Sequence, residues 1–204
     1  MPPQSRSIFD EGAPIVSFKV VSEGHFDEAG LIRLLVDEPA KHNYGTRTLS
    51  DNISDVHAQI AACHKGISLV HDLVGQYSLP VVHAYMRAIQ RTAAAAVRHM
   101  LKDFAVKHAG KPLEAMDRMD DGTEIHLRVS IDGETGDAIF DFSGTGPEVY
   151  GNWNAPPAIC NSAVIYSLRC LLGSDIPLNQ GCLEPVEIII PDGSLLKPSM
   201  DAAV

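Results

Sequence analysis

The residues best suited to contact a ligand lie together in the segment 141–156. This segment carries two amide side chains, Asn152 and Asn154, on either side of Trp153, the only tryptophan of the chain. Amide groups both donate and accept hydrogen bonds, which suits contact with a polar ligand. The segment also carries three glycines, where the backbone can pass close to a bound group because no Cβ intervenes: Gly144, Gly146 and Gly151. The sequence therefore predicts a substrate-binding loop built from these amides and glycines.

The glycine spacing of this loop does not match the known nucleotide-binding patterns. Gly146 and Gly151 have the separation found in phosphate-binding loops, but Asn152 and Trp153 stand where such a loop needs Lys followed by Ser or Thr. The dinucleotide pattern also fails, because no third glycine follows Gly144 and Gly146 at the required position. We therefore do not expect a nucleotide at this loop.

Two interpretations of the loop remain. Because it precedes the start of an apolar helix, free backbone N–H groups and the helix dipole would favour an anion there, such as a carboxylate or a phosphorylated intermediate. Alternatively, Asn154 caps that helix, while Asn152 and the glycines form tight turns, since Asn and Gly are common turn residues. The residues alone leave both interpretations open.

Three histidines, His57, His64 and His71, are spaced seven residues apart. On one helix, successive members lie about 10.5 Å apart along the axis, whereas ligands of one ion on a helix lie three or four residues apart. We therefore expect a polar flank and no metal site within this chain.

Other candidate catalytic residues have simpler structural explanations. The chain has no Gly-x-Ser-x-Gly motif, and Cys63 lies on an apolar stripe, which is typical of a small core residue. Asp51, Asp55 and Asp141 have the chemistry of general acids or bases. Their positions in a first helical turn and at the end of a strand also favour capping and turn formation. The catalytic residues therefore stay unknown.

Composition restricts the class of protein. The 204 residues carry a formal net charge of −10 and are 45% hydrophobic, which indicates a globular protein and argues against a nucleic-acid partner. Four cysteines without a paired spacing favour a reducing, cytoplasmic setting: Cys63, Cys160, Cys170 and Cys182. No secretory segment and no apolar run long enough for a membrane helix is present.

The elements that hold the loop follow from hydrophobic periodicity. In the N-terminal half we expect a strand at 15–21, a short helix at 28–36 that ends before Pro39, and two long helices. The first starts near Asp51 and breaks at Gly75, and the second starts near Pro80. Apolar residues recur every three or four positions in each: Ile53, Val56, Ile60, Cys63, Ile67, Val70 and Val74, then Val82, Met86, Ile89, Ala93, Ala96 and Met100. The pattern predicts an antiparallel helical hairpin in which each stripe buries the other.

Beyond Gly110 the period changes to two. Segments 125–131 and 138–142 form a predicted β-hairpin, 158–172 a buried helix that ends at Gly173, and 186–190 a short buried strand. The predicted fold class is α+β, with the helical hairpin followed by a mixed region of β-hairpin and buried helix. The segments 1–110 and 111–204 are expected to be parts of one incomplete domain, because both chain ends resemble interrupted elements.

Three segments of the chain form recognisable motifs: residues 141–156, the later Ile-Pro-Leu-Asn-Gln-Gly-Cys-Leu run at 176–183, and Leu-Ser-Asp-Asn-Ile-Ser-Asp at 49–55. These segments resemble the hydantoinase B/oxoprolinase family, and specifically its ATP-dependent 5-oxoprolinase branch. The first two motifs are long and specific, and the similarity extends over the whole chain.

The resemblance implies ATP-driven opening of a cyclic amide, with 5-oxo-L-proline as the substrate, L-glutamate as the product and a place in glutathione metabolism. It also implies an actin-like ATPase half that phosphorylates the lactam. ATP and a divalent metal would then bind outside this fragment. In the family a His/Asp-rich metal-binding region precedes the part matching Met1–Pro3, and a Gly-Gly-Asn run follows the part matching residues 202–204. We therefore expect the isolated fragment to be inactive.

Alternatives within and outside this family stay open. A hydantoinase or acetone carboxylase-type subunit would share the resemblance. A non-catalytic scaffold would use the helical hairpin as a subunit interface, and we expect a homo-oligomer. We expect no nucleic-acid or membrane partner.

Overall fold

The computed structural model describes residues 4–40, 45–173, 176–177 and 179–204. Two sequence-based expectations concern residues outside these ranges, namely Met1–Pro3 and Leu178. The chain divides into two compact units, of which the first comprises Met1–Leu79, Tyr150–Trp153 and Met200–Val204, and the second comprises Pro80–Val149 and Asn154–Ser199. The boundary expected near Gly110 stays a prediction.

The N-terminal region is mostly short elements: α1 (Ile8–Glu11), β1 (Val21–Ser22), β2 (His25–Phe26), α2 (Glu28–Ile32), a π-helical segment (Arg33–Asp37) and α3 (Glu38–Ala40). The predicted strand at 15–21 is wrong, because only its last residue enters a strand, and Ser17 has a left-handed φ of 55°. The predicted helix at 28–36 forms, but helical structure continues through Pro39. Proline is tolerated there because it lies in the first turn of α3.

Two long helices follow, α4 (Leu49–Tyr77) and α5 (Leu79–Lys107). Both are present as the periodicity predicts, although α4 continues through Gly75 and ends at Ser78, which has a φ of 71°. Gly75 lowers helix propensity but does not by itself stop a helix.

The apolar stripe of α4 is not buried, which corrects the expectation that each stripe buries the other. No residue of α4 is buried, and Cys63 is exposed, so Cys63 is not a core residue. The described part of the chain therefore does not supply the surface that this stripe needs.

A four-stranded sheet lies in the second unit: β3 (Leu113–Arg118), β4 (Glu124–Ile131), β5 (Ala138–Asp141) and β6 (Val186–Ile189), in the order β3-β4-β5-β6. The predicted β-hairpin is confirmed, with Ile131 opposite Ala138 and Arg128 opposite Asp141. β6 pairs in parallel with β5 and is only half-buried, which corrects the expectation of a buried strand. β3 was not predicted.

Helix α6 (Pro157–Leu171) and a 3-10 helix (Gln180–Leu183) complete the second unit. Only Cys160, Val164 and Leu168 of α6 are buried. The expectation of a helix buried all round is therefore wrong, and Gly173 follows it with a φ of 58°. The core joins α5, the sheet and α6 through these residues: Ala93, Val97, Met100, Leu101, Val129, Ala138, Phe140, Phe142, Cys160, Val164, Leu168, Ile176, Cys182 and Leu196.

The predicted α+β class is confirmed by these helices and the mixed sheet. Among the residues that the structure describes, no helix combines the length and the apolar character needed to cross a bilayer.

Candidate functional site

Asn154 closes the predicted substrate-binding loop. Its side chain is 5% exposed and forms two hydrogen bonds with the backbone of Val149. The N–H of Val149 donates to Oδ1 of Asn154 (2.9 Å), and Nδ2 of Asn154 donates to the carbonyl oxygen of Val149 (3.0 Å). This pairing brackets residues 150–153, in the way that a backbone ladder closes a hairpin. Asn154 is therefore a loop-closing residue and does not cap α6.

A second set of backbone hydrogen bonds fixes the part of the loop that precedes Val149. The N–H of Glu148 donates to the carbonyl oxygen of Gly193 (2.8 Å), and the N–H of Leu195 donates to that of Gly146 (2.9 Å). The N–H of Ala155 donates to the carbonyl oxygen of Leu195 (2.8 Å). Leu195 is 1% exposed, so the loop is anchored directly to the core.

Several backbone N–H groups of the expected anion cradle already have partners within the chain. Besides the N–H groups of Glu148, Val149 and Ala155, that of Gly146 also has a partner, the carbonyl oxygen of Glu124 (2.8 Å). Helix α6 has Pro156 as its N-cap and starts with Pro157, and proline has no N–H to donate. At the remaining N–H groups of the loop, the anion cradle stays a prediction.

Two of the three predicted glycines, Gly144 and Gly146, lie in the second unit, and each is required for a different reason. Gly144 has a φ of 95°, a conformation that side chains disfavour, and packs against the ring of His126. Gly146 has no such strain, but a Cβ there would lie 2.6 Å from Cγ2 of Thr123. Both glycines shape the loop by letting it pass close to β4.

Gly151, Asn152 and Trp153 belong to the first unit. A Cβ on Gly151 would lie 2.8 Å from Nε1 of Trp153, so the indole folds back over this glycine. Trp153 is nevertheless 57% exposed, and Asn152 is half-buried. The neighbouring Tyr150 lies beneath the guanidinium of Arg6, at 5.2 Å from the ring centroid. The segment therefore presents an exposed indole and a half-buried amide side by side in the sequence.

One titratable group in contact with the loop was missed at the sequence level. Nε2 of His126 lies 2.9 Å from Oε2 of Glu124, while Oε1 of Glu124 accepts from Nη2 of Arg118 (2.7 Å). These hydrogen bonds, that of His126 first, hold the pKa of Glu124 below its usual value. Oγ1 of Thr145 accepts from the backbone N–H of His126 (3.2 Å) and so joins strand and loop. The strand alternation placed His126 on the polar face, and only the fold shows its contact with Gly144.

On the polar face of the sheet around His126, most charged side chains pair with one another. Arg128 lies opposite Glu114, with 3.8 Å between Nε and Oε1, and Arg118 lies opposite Glu124. An open cavity of ≈ 440 Å³ is lined by these residues among others: Glu114, Met116, His126, Arg128 and Ser143. Complementary cross-strand pairs are the usual feature of a solvated sheet face.

One of the three candidate carboxylates, Asp141, has a structural role. Oδ1 of Asp141 accepts from the backbone N–H of Ser143 (2.8 Å), and hydrogen bonds from Ser143 lower its pKa. Asp51 lies in the first turn of α4, whereas Asp55 lies beyond it. Within the described ranges, no group of three or more His, Cys, Asp or Glu side chains could hold a metal ion.

The motif at 176–183 fixes the 3-10 helix against α5. Oδ1 of Asn179 accepts from the N–H of Gly181 (2.8 Å), and Nδ2 of Asn179 donates to the carbonyl oxygen of Pro177 (3.2 Å). A Cβ on Gly181 would collide with the carbonyl group of Gln90, at 2.8 Å from its carbon. This motif therefore packs the 3-10 helix against α5.

The fold is similar to that of a solved structure, the ATP-dependent caprolactamase from Pseudomonas jessenii. The TM-score is 0.73 over 97% of this chain and 33% of that one, with 22% sequence identity. At this identity the likeness supports the fold alone.

Relatives with higher identity match the chain from end to end. The 5-oxoprolinase of Dictyostelium discoideum is 53% identical over 207 residues, which cover 100% of this chain and 16% of that protein. The 5-oxoprolinase 1 of Arabidopsis thaliana is 52% identical over 218 residues, which cover 100% of this chain and 17% of that protein. The chain thus spans about a sixth of the length of these curated relatives.

The family model described as hydantoinase B/oxoprolinase matches residues 1–204. This match includes the glycine and asparagine loop, its anchor on Leu195 and the 3-10 helix motif. The family expected from the three sequence motifs is therefore confirmed: the chain belongs to the hydantoinase B/oxoprolinase family.

Proposed function

We propose that this chain is part of an ATP-dependent 5-oxoprolinase, which hydrolyses the cyclic amide of 5-oxo-L-proline to L-glutamate. The observation that carries the proposal is the identity of about 50% to proteins named 5-oxoprolinase over the whole chain. Because the chain is only a part of such proteins, the activity belongs to the longer parent protein. A cytoplasmic location, which the unpaired cysteines support, is proposed with it.

Within the loop we propose different roles for the two asparagines. Asn152 binds the substrate, because an amide can donate to its carboxylate or lactam carbonyl and accept from its lactam N–H. Asn154 positions Asn152 through its two bonds to Val149. Gly144, Gly146 and Gly151 allow the close backbone approaches that hold this geometry. An amide on a closed loop loses less conformational entropy when substrate binds than one on an open loop.

ATP and a divalent metal are proposed to bind in other parts of the parent protein. The nucleotide-loop patterns fail in this sequence, and the donor set of the described residues does not fit a metal site. ATP would supply the phosphoryl group that activates the lactam, from an actin-like half of the same protein or complex. This chain would contribute substrate binding.

The test uses the full-length parent protein with 5-oxo-L-proline and MgATP. We expect L-glutamate and ADP to form together. Omitting either 5-oxo-L-proline or MgATP should lower the rate at which both products form. Turnover of a hydantoin in place of 5-oxo-L-proline would favour a hydantoinase. A requirement for bicarbonate with a ketone would favour a carboxylase, and either result would contradict the proposal.

A structural role for the long helices is a second candidate, favoured by one observation. Helix α4 carries no buried residue although its apolar stripe runs its whole length. Helices in proteins owe most of their stability to packing of such a stripe. We propose that the helices contribute to assembly of a homo-oligomeric parent. Sedimentation of the parent at two concentrations would test its oligomeric state.

A further inference from the structure

One carboxylate oxygen of Glu11 is buried and has no partner. Oε1 of Glu11 is the one buried side-chain oxygen or nitrogen without a hydrogen bond among the residues that the structure describes. The other oxygen, Oε2, accepts from the backbone N–H of Val204 (3.2 Å). Buried polar atoms in native proteins nearly always have a partner, so an exception marks a place for a water, an ion or a ligand. Glu11 therefore holds an acceptor that the described part of the chain does not use.

Glu11 lies at the junction of three segments of the first unit, which are residues 4–12, 150–153 and 200–204. The N–H of Ile8 donates to the carbonyl oxygen of Asp201 (3.0 Å), which joins the first segment to the last. The guanidinium of Arg6 lies 5.2 Å from the ring centroid of Tyr150, which joins the first segment to the loop. The unpartnered oxygen therefore lies in the same unit as residues 150–153 of the loop.

A cation without a carboxylate partner lies on the same segment. Arg6 is exposed, and its guanidinium forms no ion pair with any residue in the described ranges. Its backbone N–H donates to Oδ2 of Asp10 (2.9 Å), which fixes the main chain at Arg6. A guanidinium pairs well with carboxylates, and a carboxylate oxygen accepts from N–H groups. Residues 6–11 therefore offer one unused group of each kind.

We propose that Oε1 of Glu11 accepts a hydrogen bond from the ring N–H of a cyclic amide whose carboxylate pairs with Arg6. This inference rests on the proposed function, and it names the groups that recognise the N–H and the carboxylate of 5-oxo-L-proline. Asn152 is then left to donate to the ring carbonyl. A buried acceptor also gives specificity, because a ring that lacks the N–H would leave the acceptor without a partner.

A metal ion fits these groups less well than a cyclic amide. Within the described ranges, no group of three or more His, Cys, Asp or Glu side chains could hold such an ion. An ion at Glu11 would also leave the guanidinium of Arg6 unused. A ligand that carries both an N–H donor and a carboxylate satisfies both groups at once.

The experiment measures ligand binding to the full-length parent protein by calorimetry, without ATP so that no turnover occurs. One ligand is 5-oxo-L-proline, and the other is its lactone analogue, (S)-5-oxotetrahydrofuran-2-carboxylate, in which a ring oxygen replaces the N–H. We expect the wild-type parent to bind the lactam about tenfold or more tightly than the lactone, because only the lactam donates to Glu11.

Two variants separate the N–H from the carboxylate. In Glu11→Gln the side-chain oxygen still accepts from Val204 while the NH2 group faces the ligand, so the acceptor for the ring N–H is lost. This variant should bind the lactam about tenfold or more weakly, and the lactone within about threefold of the wild type. Arg6→Gln should weaken both ligands alike, because both carry the carboxylate. Glu23→Gln removes an exposed carboxylate of the same unit and is the matched control, which should change neither affinity.

The inference is overturned if Glu11→Gln binds both ligands as the wild type does, or if it weakens both equally, which would indicate a structural role. Loss of a bound metal ion from Glu11→Gln but not from Glu23→Gln, measured by plasma mass spectrometry, would also overturn it. An unchanged melting temperature shows that Glu11→Gln is folded.

The preference of the wild-type parent for the lactam is a second readout that needs no variant, and its absence overturns the inference. Wild-type binding of 5-oxo-L-proline that does not depend on Glu11 contradicts this inference alone. Absence of 5-oxo-L-proline binding to the wild-type parent contradicts the proposed function together with it.

Discussion

At the scale of single residues, the loop is built so that one asparagine holds the segment that carries the other. The buried amide of Asn154 forms with Val149 the pair of hydrogen bonds that a facing backbone would otherwise form. Two amides that look equivalent in the sequence therefore differ in the structure. Asn152 stays half-buried and is the one that we expect to contact substrate.

We expect Asn154→Ala to open the loop locally in the parent protein. The substitution leaves the N–H and carbonyl of Val149 without partners, which costs about 1–3 kcal/mol. Hydrogen exchange of the Val149 amide should accelerate by about tenfold or more as a result. Asn161→Ala is the matched control, because Asn161 is an exposed amide on α6. Unchanged exchange at Val149 would show that Asn154 does not close the loop.

Gly181→Ala should destabilise the parent protein strongly. The new Cβ would overlap the backbone carbonyl of Gln90, which cannot move without shifting α5, so we expect a cost of about 2 kcal/mol or more. Gly133→Ala is the control, since its Cβ would meet only the Cβ of Ala105 at an ordinary 3.7 Å. Thermal unfolding of both variants distinguishes them. Equal melting temperatures would mean that the 3-10 helix is not packed as described.

The residue types of the loop could be predicted from the sequence, but their roles could not. Asn and Gly are typical of turns and of ligand-binding loops alike, so the sequence left helix capping and anion binding open. The partner of Asn154 is five residues away, whereas the N–H of Gly146 donates to Glu124 and the N–H of Glu148 donates to Gly193. Such pairings depend on tertiary structure and have no sequence signal.

At the scale of elements, the strands of the second unit are joined by turns that carboxylates close. Oδ1 of Asp121 accepts from the N–H of Thr123 (2.8 Å), and Oδ1 of Asp132 accepts from the N–H groups of Glu134 (2.7 Å) and Thr135 (3.1 Å). These hydrogen bonds hold the pKa of both carboxylates below their usual value. The side chains therefore stabilise the turns in their ionised form.

The turns should loosen at acid pH. A lowered pKa in the folded state means that the stabilisation is complete above the unfolded pKa of about 3.9, and is lost as pH falls through the lower folded value. Protection of the Glu134 and Thr135 amides against hydrogen exchange, corrected for the intrinsic rate, should fall as the pH is lowered below about 4. Asp132→Asn should reduce this pH dependence, whereas the exposed control Asp120→Asn should retain it. Wild-type pH dependence in Asp132→Asn would contradict the assignment.

The long helices and the β-hairpin were predictable because their hydrophobic periods extend over many residues. Strand β3 was missed because its sequence, Leu-Glu-Ala-Met-Asp-Arg, has little β propensity, and it is held by cross-strand pairs such as Arg118 with Glu124. The strand predicted at 15–21 does not form. A strand needs a neighbouring strand to pair with, and alternating apolar residues do not by themselves provide one. Helix α6 is apolar on most sides, yet only one stripe of it is buried.

At the scale of the whole molecule, the chain carries more apolar surface than its own core uses. The apolar stripe of α4 and the exposed apolar residues in the N-terminal half of α5 both lack cover among the described residues. The chain spans about a sixth of the length of its curated relatives, and we propose that other parts or copies of the parent protein supply this cover. Helix periodicity could predict these stripes but not what buries them.

The central claim is that the loop of this chain takes part in lactam hydrolysis by the parent protein. The most direct measurement is kcat/KM for 5-oxo-L-proline in the presence of MgATP, for the parent protein and for Asn152→Ala, with Asn161→Ala as the matched control. Loss of a hydrogen bond to a charged or reacting group costs about 1.5–3 kcal/mol, so we predict a fall of about 10- to 150-fold for Asn152→Ala and none for the control. Wild-type kcat/KM in a folded Asn152→Ala variant would contradict the account.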